Sequence, residues 1–306
     1  MTKTTIADLQ KKYAGKIDRL DLDVLIAAEI GKSREFVLTY PEYVLPSLKI
    51  KNLDLKITRR MSDEPLAYIL GYREFFGLSF AVTPDTLIPR PETELMVEMA
   101  LQEISSKHQT SNIKHQMIVD VGTGSGNIII SILKNLIIDS KFNPPAGGQN
   151  SKFFAVDISN AALTVAQQNA QTHGVAKKIK FLQGNLLETL IENCKLNIEN
   201  SKMIILANLP YLSDEIYAAT HPTVQKYEPR SALYSAAAGL AHYEELLQQM
   251  ETLKNTHALV HVTCYMEISP EQKRQLPVLI RKRLPQAHIA FHKDLAQKWR
   301  LCQITV

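Results

Sequence analysis

Apolar and polar positions are distributed in two different ways along this chain, and the pattern changes near residue 74. In residues 1–74, apolar side chains recur at helical spacing, as in Leu53, Ile57 and Met61, and prolines separate the segments. In residues 75–306, short apolar runs alternate with longer amphipathic segments. The pattern therefore predicts a small helical domain over residues 1–74 and an α/β domain over residues 75–306.

The α/β part is predicted to begin with a β-hairpin and to continue as alternating strands and helices. Phenylalanines around Gly77 indicate the hairpin, which would link the two domains. Seven later runs are predicted as strands: residues 117–121, 153–157, 179–182, 203–207, 258–262, 288–291 and 299–305. The last run alternates apolar and polar residues, which suits an antiparallel strand. Together these elements predict a doubly wound sheet.

Composition and charge exclude few classes of protein. The 306 residues carry a net charge of +4, and 45% of them are hydrophobic and 22% charged, which is ordinary for a globular protein. The three cysteines are far apart, and no spacing of cysteine, histidine and carboxylate predicts a metal site. The N-terminus lacks the apolar core of a signal peptide, and no run is long enough to cross a membrane. We therefore expect a cytoplasmic protein with free thiols.

The strongest local motif is the glycine-rich turn after the first predicted strand of the sheet. Gly122-Thr123-Gly124-Ser125-Gly126 follows Asp120 and opens a helix at Asn127. Glycines at alternate positions let the backbone approach a ligand closely. The spacing differs from that of dinucleotide-binding turns, because residue 127 is Asn. The turn suits a nucleoside that carries an amino-acid chain, with Asp120 receiving an ammonium group.

Other strand ends and one proline-rich tract carry residues suited to the rest of such a nucleoside. Asp157 ends the second strand, where a carboxylate can hold a ribose diol through charge-assisted hydrogen bonds. Asn185 follows the third strand and can pair with an adenine edge, with Leu186 beside it. Prolines 89 and 91 keep Arg90 extended ahead of Thr93. This tract could line a cleft, although a stiff linker is the plainer interpretation.

The fourth predicted strand ends in the tetrapeptide Asn208-Leu209-Pro210-Tyr211. Open α/β sheets bind ligands at the carboxyl ends of their strands. The Asn amide offers a donor and an acceptor, the proline stiffens the turn, and the tyrosine supplies a flat face. These groups suit a planar substrate that bears an NH₂, such as a carboxamide or a nucleobase amine. An ordinary strand-ending turn is the alternative.

In their order and spacing, these motifs resemble one family, the protein-(glutamine-N5) methyltransferases that modify peptide-chain release factors, PrmC/HemK. The resemblance covers nearly the whole chain. It rests on Pro65–Gly71, Pro89–Glu94, Asp120–Gly126, Asp157, Asn208–Tyr211, Glu228-Pro229 and Ala232-Leu233. It implies a Rossmann-like class I methyltransferase domain with a seven-stranded, mostly parallel sheet, behind a small N-terminal helical domain and a β-hairpin linker.

The resemblance implies transfer of a methyl group from S-adenosylmethionine to the side-chain amide nitrogen of the Gln in a release factor's Gly-Gly-Gln motif. S-adenosylhomocysteine would be the product. Asn208 and the Leu209 carbonyl would accept hydrogen bonds from the Gln NH₂, and Tyr211, after Pro210, would pack on the amide. The helical domain would help dock the release factor, and we expect a monomer that needs neither nucleic acid nor a membrane. The expected cofactor-binding residues are Asp120, Gly122, Thr123, Gly124, Ser125, Gly126, Asp157, Asn185, Leu186, Asn208, Arg90 and Thr93.

The chain departs from the family pattern at two positions and contains one copy of the substrate motif. Leu209 stands where the family has proline, which predicts looser preorganisation without loss of activity. Asn185 replaces an acidic residue, which predicts weaker adenine binding by ~1.5–3 kcal/mol. Gly147-Gly148-Gln149 repeats the substrate motif in a polar insert. Chance is the favoured explanation, and self-methylation or autoinhibition is the alternative.

Two other functions are consistent with the tetrapeptide. An adenine-N6 methyltransferase acting on DNA or RNA would use the same residues, but the Lys and Arg are scattered and no target-recognition domain is indicated. A non-catalytic nucleoside-binding protein on the same fold is the second, and Asn208 argues against it. Steep salt dependence of substrate binding would indicate a nucleic acid. A methyl-transfer assay with an Asn208→Ala control would identify the non-catalytic case.

Overall fold

The computed structural model describes residues 4–105, 115–138, 151–192, 201–256 and 261–306. They form two compact units. One contains the described residues up to Tyr72 together with His221–Tyr227, and the other contains Arg73–Thr220 and Glu228–Val306. A short segment from the second half of the chain therefore belongs to the N-terminal unit, which the sequence pattern did not indicate. The insert with Gly147-Gly148-Gln149 and the residue Cys194 lie outside the described residues.

The first unit is a set of short helices around an aliphatic core. Thr5 and Asp8 form a capping box at its start, since each side chain accepts a hydrogen bond from the other's backbone N–H. Gly31 ends the second helix with φ of 69°, the left-handed conformation that glycine adopts readily at a helix C-terminus. The core includes Ile6, Leu9, Leu25, Ile26, Leu53 and Ile57. The helices are α1 Ile6–Lys12, α2 Arg19–Ile30, α3 Arg34–Thr39, α4 Ser47–Met61 and α5 Leu66–Leu70.

The segment that joins this unit from the second half of the chain contains a short helix, Pro222–Tyr227, numbered α11 in chain order. The Tyr227 hydroxyl donates a 2.7 Å hydrogen bond to the backbone carbonyl of Ser62, just after α4. The Lys226 ammonium donates to the same carbonyl at 3.4 Å. These bonds occupy a carbonyl at the end of α4, where a helix leaves its last acceptors unpaired.

The second unit is built on a seven-stranded sheet, and the strands in chain order are β1 Tyr72–Phe75, β2 Leu78–Ala81, β3 His115–Val121, β4 Ser151–Asp157, β5 Ile179–Gln183, β6 Ser201–Ala207, β7 His261–Glu267, β8 His288–Lys293 and β9 Trp299–Thr305. The strand order is β5-β4-β3-β6-β7-β9-β8, and β9 runs antiparallel to both of its neighbours while the other pairs are parallel. The predicted hairpin precedes the sheet.

Helices cover both faces of this sheet because successive strand residues point to opposite sides. Val119 of β3 belongs to one apolar cluster with Tyr243 and Leu246, whereas Ile118 belongs to another with Met96 and Ile129. Such two-sided burial explains why the strands are nearly continuous apolar runs. The helices are α6 Glu94–Ser105, α7 Asn127–Ile138, α8 Asn160–Thr172, α9 Glu188–Glu192, α10 Asp214–Ala218, α12 Ala236–Gly239, α13 Ala241–Thr256 and α14 Leu276–Arg283.

The predicted fold class is confirmed, and one strand of the sheet differs from its predicted bounds by more than two residues. The fifth strand of the sheet was expected at residues 258–262, but β7 runs from His261 to Glu267. Thr263 and Tyr265 interrupt the apolar pattern, although both are buried in the strand and their hydroxyls have hydrogen-bond partners. The strand therefore continues through them. Within the described ranges, no helix is long and apolar enough to cross a membrane.

Candidate functional site

A cleft of about 300 Å³ lies at the carboxyl ends of the parallel strands in the second unit. The strand order reverses at β3, which lies between β4 and β6, and such a reversal opens a crevice above the sheet. The turns that follow β3, β4, β5 and β6 all contribute to its wall, as does the proline-rich tract before α6. The volume lies in the range of small-molecule sites.

The structure brings most of the predicted site residues to this cleft. Three of them are not part of its wall: Asp120 is fully buried, Gly126 faces Ile130 and Ala166, and Tyr211 is bonded to Glu267. The predicted residues on the wall are Arg90, Thr93, Gly122, Thr123, Gly124, Ser125, Asp157, Asn185, Leu186, Asn208, Leu209 and Pro210.

The glycine-rich turn is tied both to the neighbouring strand and to the tetrapeptide. Thr123 N–H donates to the Val156 carbonyl at 2.9 Å, and Gly124 N–H donates to Asp157 Oδ2 at 2.9 Å. Gly122 has φ of 69°, and a Cβ there would lie 3.1 Å from Leu209 Cδ2. A glycine at this position therefore lets the Leu209 side chain pack against the turn. The turn and the tetrapeptide form one continuous surface.

Two carboxylates at the ends of β3 and β4 lie beside the glycine-rich turn and bond its residues. Asp120 Oδ2 accepts a bond from Thr123 Oγ1 at 2.7 Å, while Oδ1 has no partner among the described residues. Burial raises the pKa of Asp120 to about 7. Burial also raises the pKa of Asp157, which accepts bonds from the backbone N–H groups of Gly124 and Ser159. Both sites would be stabilised by a nearby positive charge or by further donors.

At the far end of the cleft, the amide of Asn185 has a defined orientation. Its Nδ2 donates to Glu245 Oε1 at 2.5 Å, so its Oδ1 is turned away from that carboxylate. Leu186, next in the chain, has φ of 54°, and Leu187 N–H donates to Gln249 Oε1 at 2.6 Å. A carboxylate from α13 thus turns the carbonyl end of Asn185 into an available acceptor. The sequence analysis did not anticipate Glu245.

The tetrapeptide after β6 is held by a buried network. Asn208 Nδ2 donates to Thr93 Oγ1 at 3.1 Å, and Thr93 Oγ1 donates to Glu267 Oε2 at 2.6 Å. The Tyr211 hydroxyl donates to the other carboxylate oxygen, Glu267 Oε1, at 3.3 Å. Burial together with the charge of Glu267 raises the pKa of Tyr211, so its hydroxyl stays protonated and able to donate.

The proline-rich tract is anchored by an ion pair. Arg90 is extended, with φ of −102° and ψ of 139°, as its flanking prolines predicted. Its Nη2 donates to Glu228 Oε1 at 2.6 Å, and the backbone N–H of Ile88 donates to Oε2 at 3.4 Å. The Glu228 side chain is 2% exposed and that of Arg90 35%, so the carboxylate end of this pair is shielded from water. The tract therefore forms a fixed wall of the cleft.

Sequence reasoning missed Glu267, which organises the tetrapeptide. The signal was present, because an acid that ends an apolar strand is the same pattern that identified Asp157. It was overlooked because the strand was ended at Val262. His242 also lines the cleft and was not anticipated; its Nδ1 lies 2.8 Å from Ser235 Oγ, and burial lowers its pKa.

A doubly wound sheet with a glycine turn after β3 and a polar tetrapeptide after β6 is the arrangement of a class I methyltransferase. The chain matches a family described as methyltransferase domain over residues 112–283. Among solved structures it is similar to the hMettl16 catalytic domain in complex with MAT2A 3'UTR hairpin 1. The TM-score is 0.53 at 14% identity, covering 92% of this chain and 90% of that one. At this identity the likeness shows the fold alone.

The N-terminal region and curated relatives define the family more closely. Residues 3–71 match the PrmC N-terminal domain. A release factor glutamine methyltransferase of Enterococcus faecalis is 33% identical over 86% of this chain and 84% of its own length. One of Coxiella burnetii is 34% identical over 79% of this chain and 77% of its own length. The chain belongs to the release factor glutamine methyltransferase family, which confirms the resemblance drawn from its motifs.

Proposed function

We propose that this chain transfers a methyl group from S-adenosylmethionine to the side-chain amide nitrogen of the Gln in a release factor's Gly-Gly-Gln motif. The observation that carries the proposal is the position of Asn208, in the same cleft as Gly124 and Asp157, with its amide nitrogen already bonded to Thr93. Its Oδ1 is then the end that can accept a hydrogen bond from a substrate NH₂.

The residues of the cleft wall fit S-adenosylmethionine, together with the buried Asp120 that accepts a bond from the wall residue Thr123. Asp120 is an incompletely bonded buried carboxyl next to the glycine turn, which suits the ammonium of the methionine part. Asp157 suits the ribose hydroxyls, and Asn185 with Leu186 suits the adenine. Arg90 and Thr93 complete the wall. The cofactor would supply an electrophilic methyl group on a sulfonium.

Orientation is the main contribution that the protein can make to this reaction. An amide nitrogen is a poor nucleophile because its lone pair is delocalised into the carbonyl. Asn208 Oδ1 and the Leu209 carbonyl would accept the two N–H groups of the Gln, align the nitrogen and favour the positive charge that develops on it. Methyl transfer forms the N–C bond, breaks the S–C bond and releases one amide proton to solvent. Holding the reacting atoms at about 3–3.5 Å is the near-attack geometry required.

Leu209 retains the acceptor role because every residue has a backbone carbonyl. Its side chain is 3% exposed and packs over Gly122, so packing partly replaces the rigidity of a proline ring. We expect Leu209→Pro to keep or improve methyl transfer, as measured by initial rates at saturating cofactor. A slower Leu209→Pro enzyme would contradict the looser preorganisation that we propose for the natural residue.

The helical domain, predicted over residues 1–74, is proposed to help dock the release factor onto the methyltransferase domain of residues 75–306. Acting on release factors would place a monomeric enzyme in the cytoplasm. Neither an adenine-N6 nucleic-acid activity nor a non-catalytic role gains support: the chain belongs to the release factor glutamine methyltransferase family, and the likeness to an RNA-bound neighbour is one of fold alone.

The proposal is tested by methyl transfer from labelled S-adenosylmethionine to a purified release factor. We expect label on the wild-type release factor and none on its variant with Ala in place of the Gly-Gly-Gln glutamine. Asn208→Ala enzyme is the matched negative control. Label on the Gln→Ala release factor, or on RNA or DNA instead, would refute the substrate assignment. Intact-mass analysis of enzyme incubated with cofactor alone tests for self-methylation at Gln149.

A further inference from the structure

A chain of hydrogen bonds connects a carboxylate in the core to the amide that faces the cleft. Glu267, at the end of β7, is 3% exposed. Its Oε2 accepts from Thr93 Oγ1 at 2.6 Å, and Thr93 Oγ1 accepts from Asn208 Nδ2 at 3.1 Å. Thr93 is 1% exposed, so water competes little for either bond. The three side chains come from β7, the segment before α6 and the end of β6.

The direction of each bond in this chain follows from the chemistry of its members. An ionised carboxylate can only accept, and a threonine hydroxyl has one hydrogen to donate. Because that hydrogen goes to Glu267, Thr93 presents a lone pair to Asn208. Asn208 must then present its NH₂ and turn its Oδ1 the other way. Without the carboxylate, the hydroxyl could donate to Asn208 Oδ1, and the amide would be free to flip.

The carboxylate is itself held in place from several sides. Tyr211 donates to its second oxygen at 3.3 Å, and the Tyr243 hydroxyl donates to the backbone carbonyl of Glu267. Burial raises the pKa of Glu267, while the Thr93 and Tyr211 donors and the charge of Arg300 oppose that rise. Glu267 therefore fixes both ends of the tetrapeptide, Asn208 through Thr93 and Tyr211 directly.

We infer that Glu267 and Thr93 are positioning residues that set the amide orientation of Asn208, so that an oxygen and not an NH₂ faces the methyl acceptor. This inference rests on the proposed function. It also reassigns Thr93, which the sequence pattern placed among the cofactor-binding residues. With its amide flipped, Asn208 would direct N–H groups toward the N–H groups of the substrate. It could then accept no hydrogen bond from the reacting nitrogen.

The first test compares Thr93→Val, which keeps the shape but removes the hydroxyl, with Thr93→Ser, which keeps the hydroxyl. In Thr93→Val we expect kcat for the release factor to fall at least 10-fold, with the KM for the release factor and the Kd for S-adenosylmethionine within about 3-fold of wild type. Thr93→Ser should restore kcat to within about 3-fold. Wild-type kcat in Thr93→Val would overturn the inference, as would a parallel loss of cofactor affinity, which would make Thr93 a cofactor ligand.

A second readout does not depend on activity. The Asn208 side-chain amide can be identified by ¹⁵N NMR from its loss in Asn208→Ala. We expect its two protons to exchange slowly in wild type and Thr93→Ser, and fast in Thr93→Val and in Glu267→Gln. Slow exchange in all four proteins would overturn the inference. The two ideas can also fail separately. If exchange is slow in wild type and fast in Thr93→Val but no methyl group is transferred to any release factor, the positioning role is retained and the proposed function is rejected.

Discussion

The carboxylates at the ends of β3 and β4 differ from the carboxylate at the end of β7 in the groups that bond them. Asp120 and Asp157, after β3 and β4, have raised pKa values from burial, and one oxygen of Asp120 has no partner among the described residues. Glu267, at the end of β7, also has a pKa raised by burial, but both of its oxygens accept from side chains of other elements, whereas Asp157 accepts from backbone N–H groups. The first pair gains from a ligand that brings positive charge or hydroxyl donors. Glu267 acts within the protein, where it orients other groups.

In the proposed enzyme, this difference separates the residues that bind the cofactor from those that orient the substrate amide. The β3–β4 side of the site, with Asp120 and Asp157, would change its protonation when the cofactor binds. The β6–β7 side, with Asn208 and Glu267, would keep the same hydrogen bonds. Substitutions on the β3–β4 side should therefore alter cofactor affinity, and substitutions on the β6–β7 side should alter kcat. Substitutions at Asn208, Gly239, Asp120 and Asn185 test that division.

Asn208→Ala should have the largest effect. It removes one of the two proposed acceptors for the substrate nitrogen, and loss of such a group typically costs about 10²–10³-fold in rate. Cofactor affinity, measured by isothermal titration calorimetry, should stay within about 3-fold of wild type. Asn135→Ala is the matched control, because that amide donates to the Ser131 carbonyl within its own helix. A fall in cofactor affinity as large as the fall in kcat would contradict the proposed separation of cofactor binding from substrate orientation.

Gly239→Ala should disturb the tetrapeptide from its other side. A Cβ at Gly239 would lie 2.1 Å from the Tyr211 carbonyl oxygen, and the residue has φ of 83°. Gly174→Ala is the control, since its φ of 71° is similar but nothing lies within 4 Å of the added Cβ. Left-handed strain alone should cost each protein about 1–2 kcal/mol of unfolding free energy. Only Gly239→Ala should also lower kcat, by roughly 10-fold or more.

Equal kcat values for the Gly239→Ala and Gly174→Ala enzymes would show that the Tyr211 backbone tolerates displacement. Urea unfolding of both variants would establish whether any loss of rate merely follows loss of the folded state. The Gln272 side chain, whose Nε2 donates to the carbonyls of Tyr211 and Gly239, makes such tolerance unexpected.

Cofactor binding should release a proton from Asp120. With a pKa of about 7, near half of this carboxyl is protonated at pH 7 before binding. A nearby ammonium favours the charged form and lowers the pKa, so binding at pH 7 should release up to about half a proton, and more at pH 6. Calorimetry in buffers of different ionisation enthalpy measures this number. Asp120→Asn should abolish it, and unchanged release in that variant would assign the proton elsewhere.

Asn185→Asp should have the smallest effect, and that effect should be a loss of cofactor affinity. It restores the acidic residue that the family has at this position, but places the carboxylate against Glu245, which now bonds the Asn185 amide at 2.5 Å. We expect cofactor affinity to fall by about 3–10-fold from like-charge repulsion. Adding Glu245→Gln, which supplies a donor, should recover it. Tighter binding by the single Asn185→Asp variant would show that the two carboxylates do not meet.

The parts of the site that sequence could predict are those where one strand and its turn suffice. The glycine turn, Asp157 and the tetrapeptide each follow an apolar run, and parallel strands end at one edge of the sheet, so their meeting in one cleft was expected. Glu267 was missed because the polar residues Thr263 and Tyr265 concealed the strand that carries it. The assigned roles of these residues stay predictions until the variants are measured.

The sheet's elements, the family and twelve of the residues on the cleft wall could be read from the sequence, because these depend on local apolar patterns and on motifs in order. The directions in which the side-chain amides face depend instead on the packing of the folded chain. Thr93 meets Asn208 across 115 positions and Glu267 across 174, and Asn185 meets Glu245 across 60. A hydrogen bond needs its atoms within about 3 Å and correctly aligned, and only the packing of distant strands and helices brings such groups together.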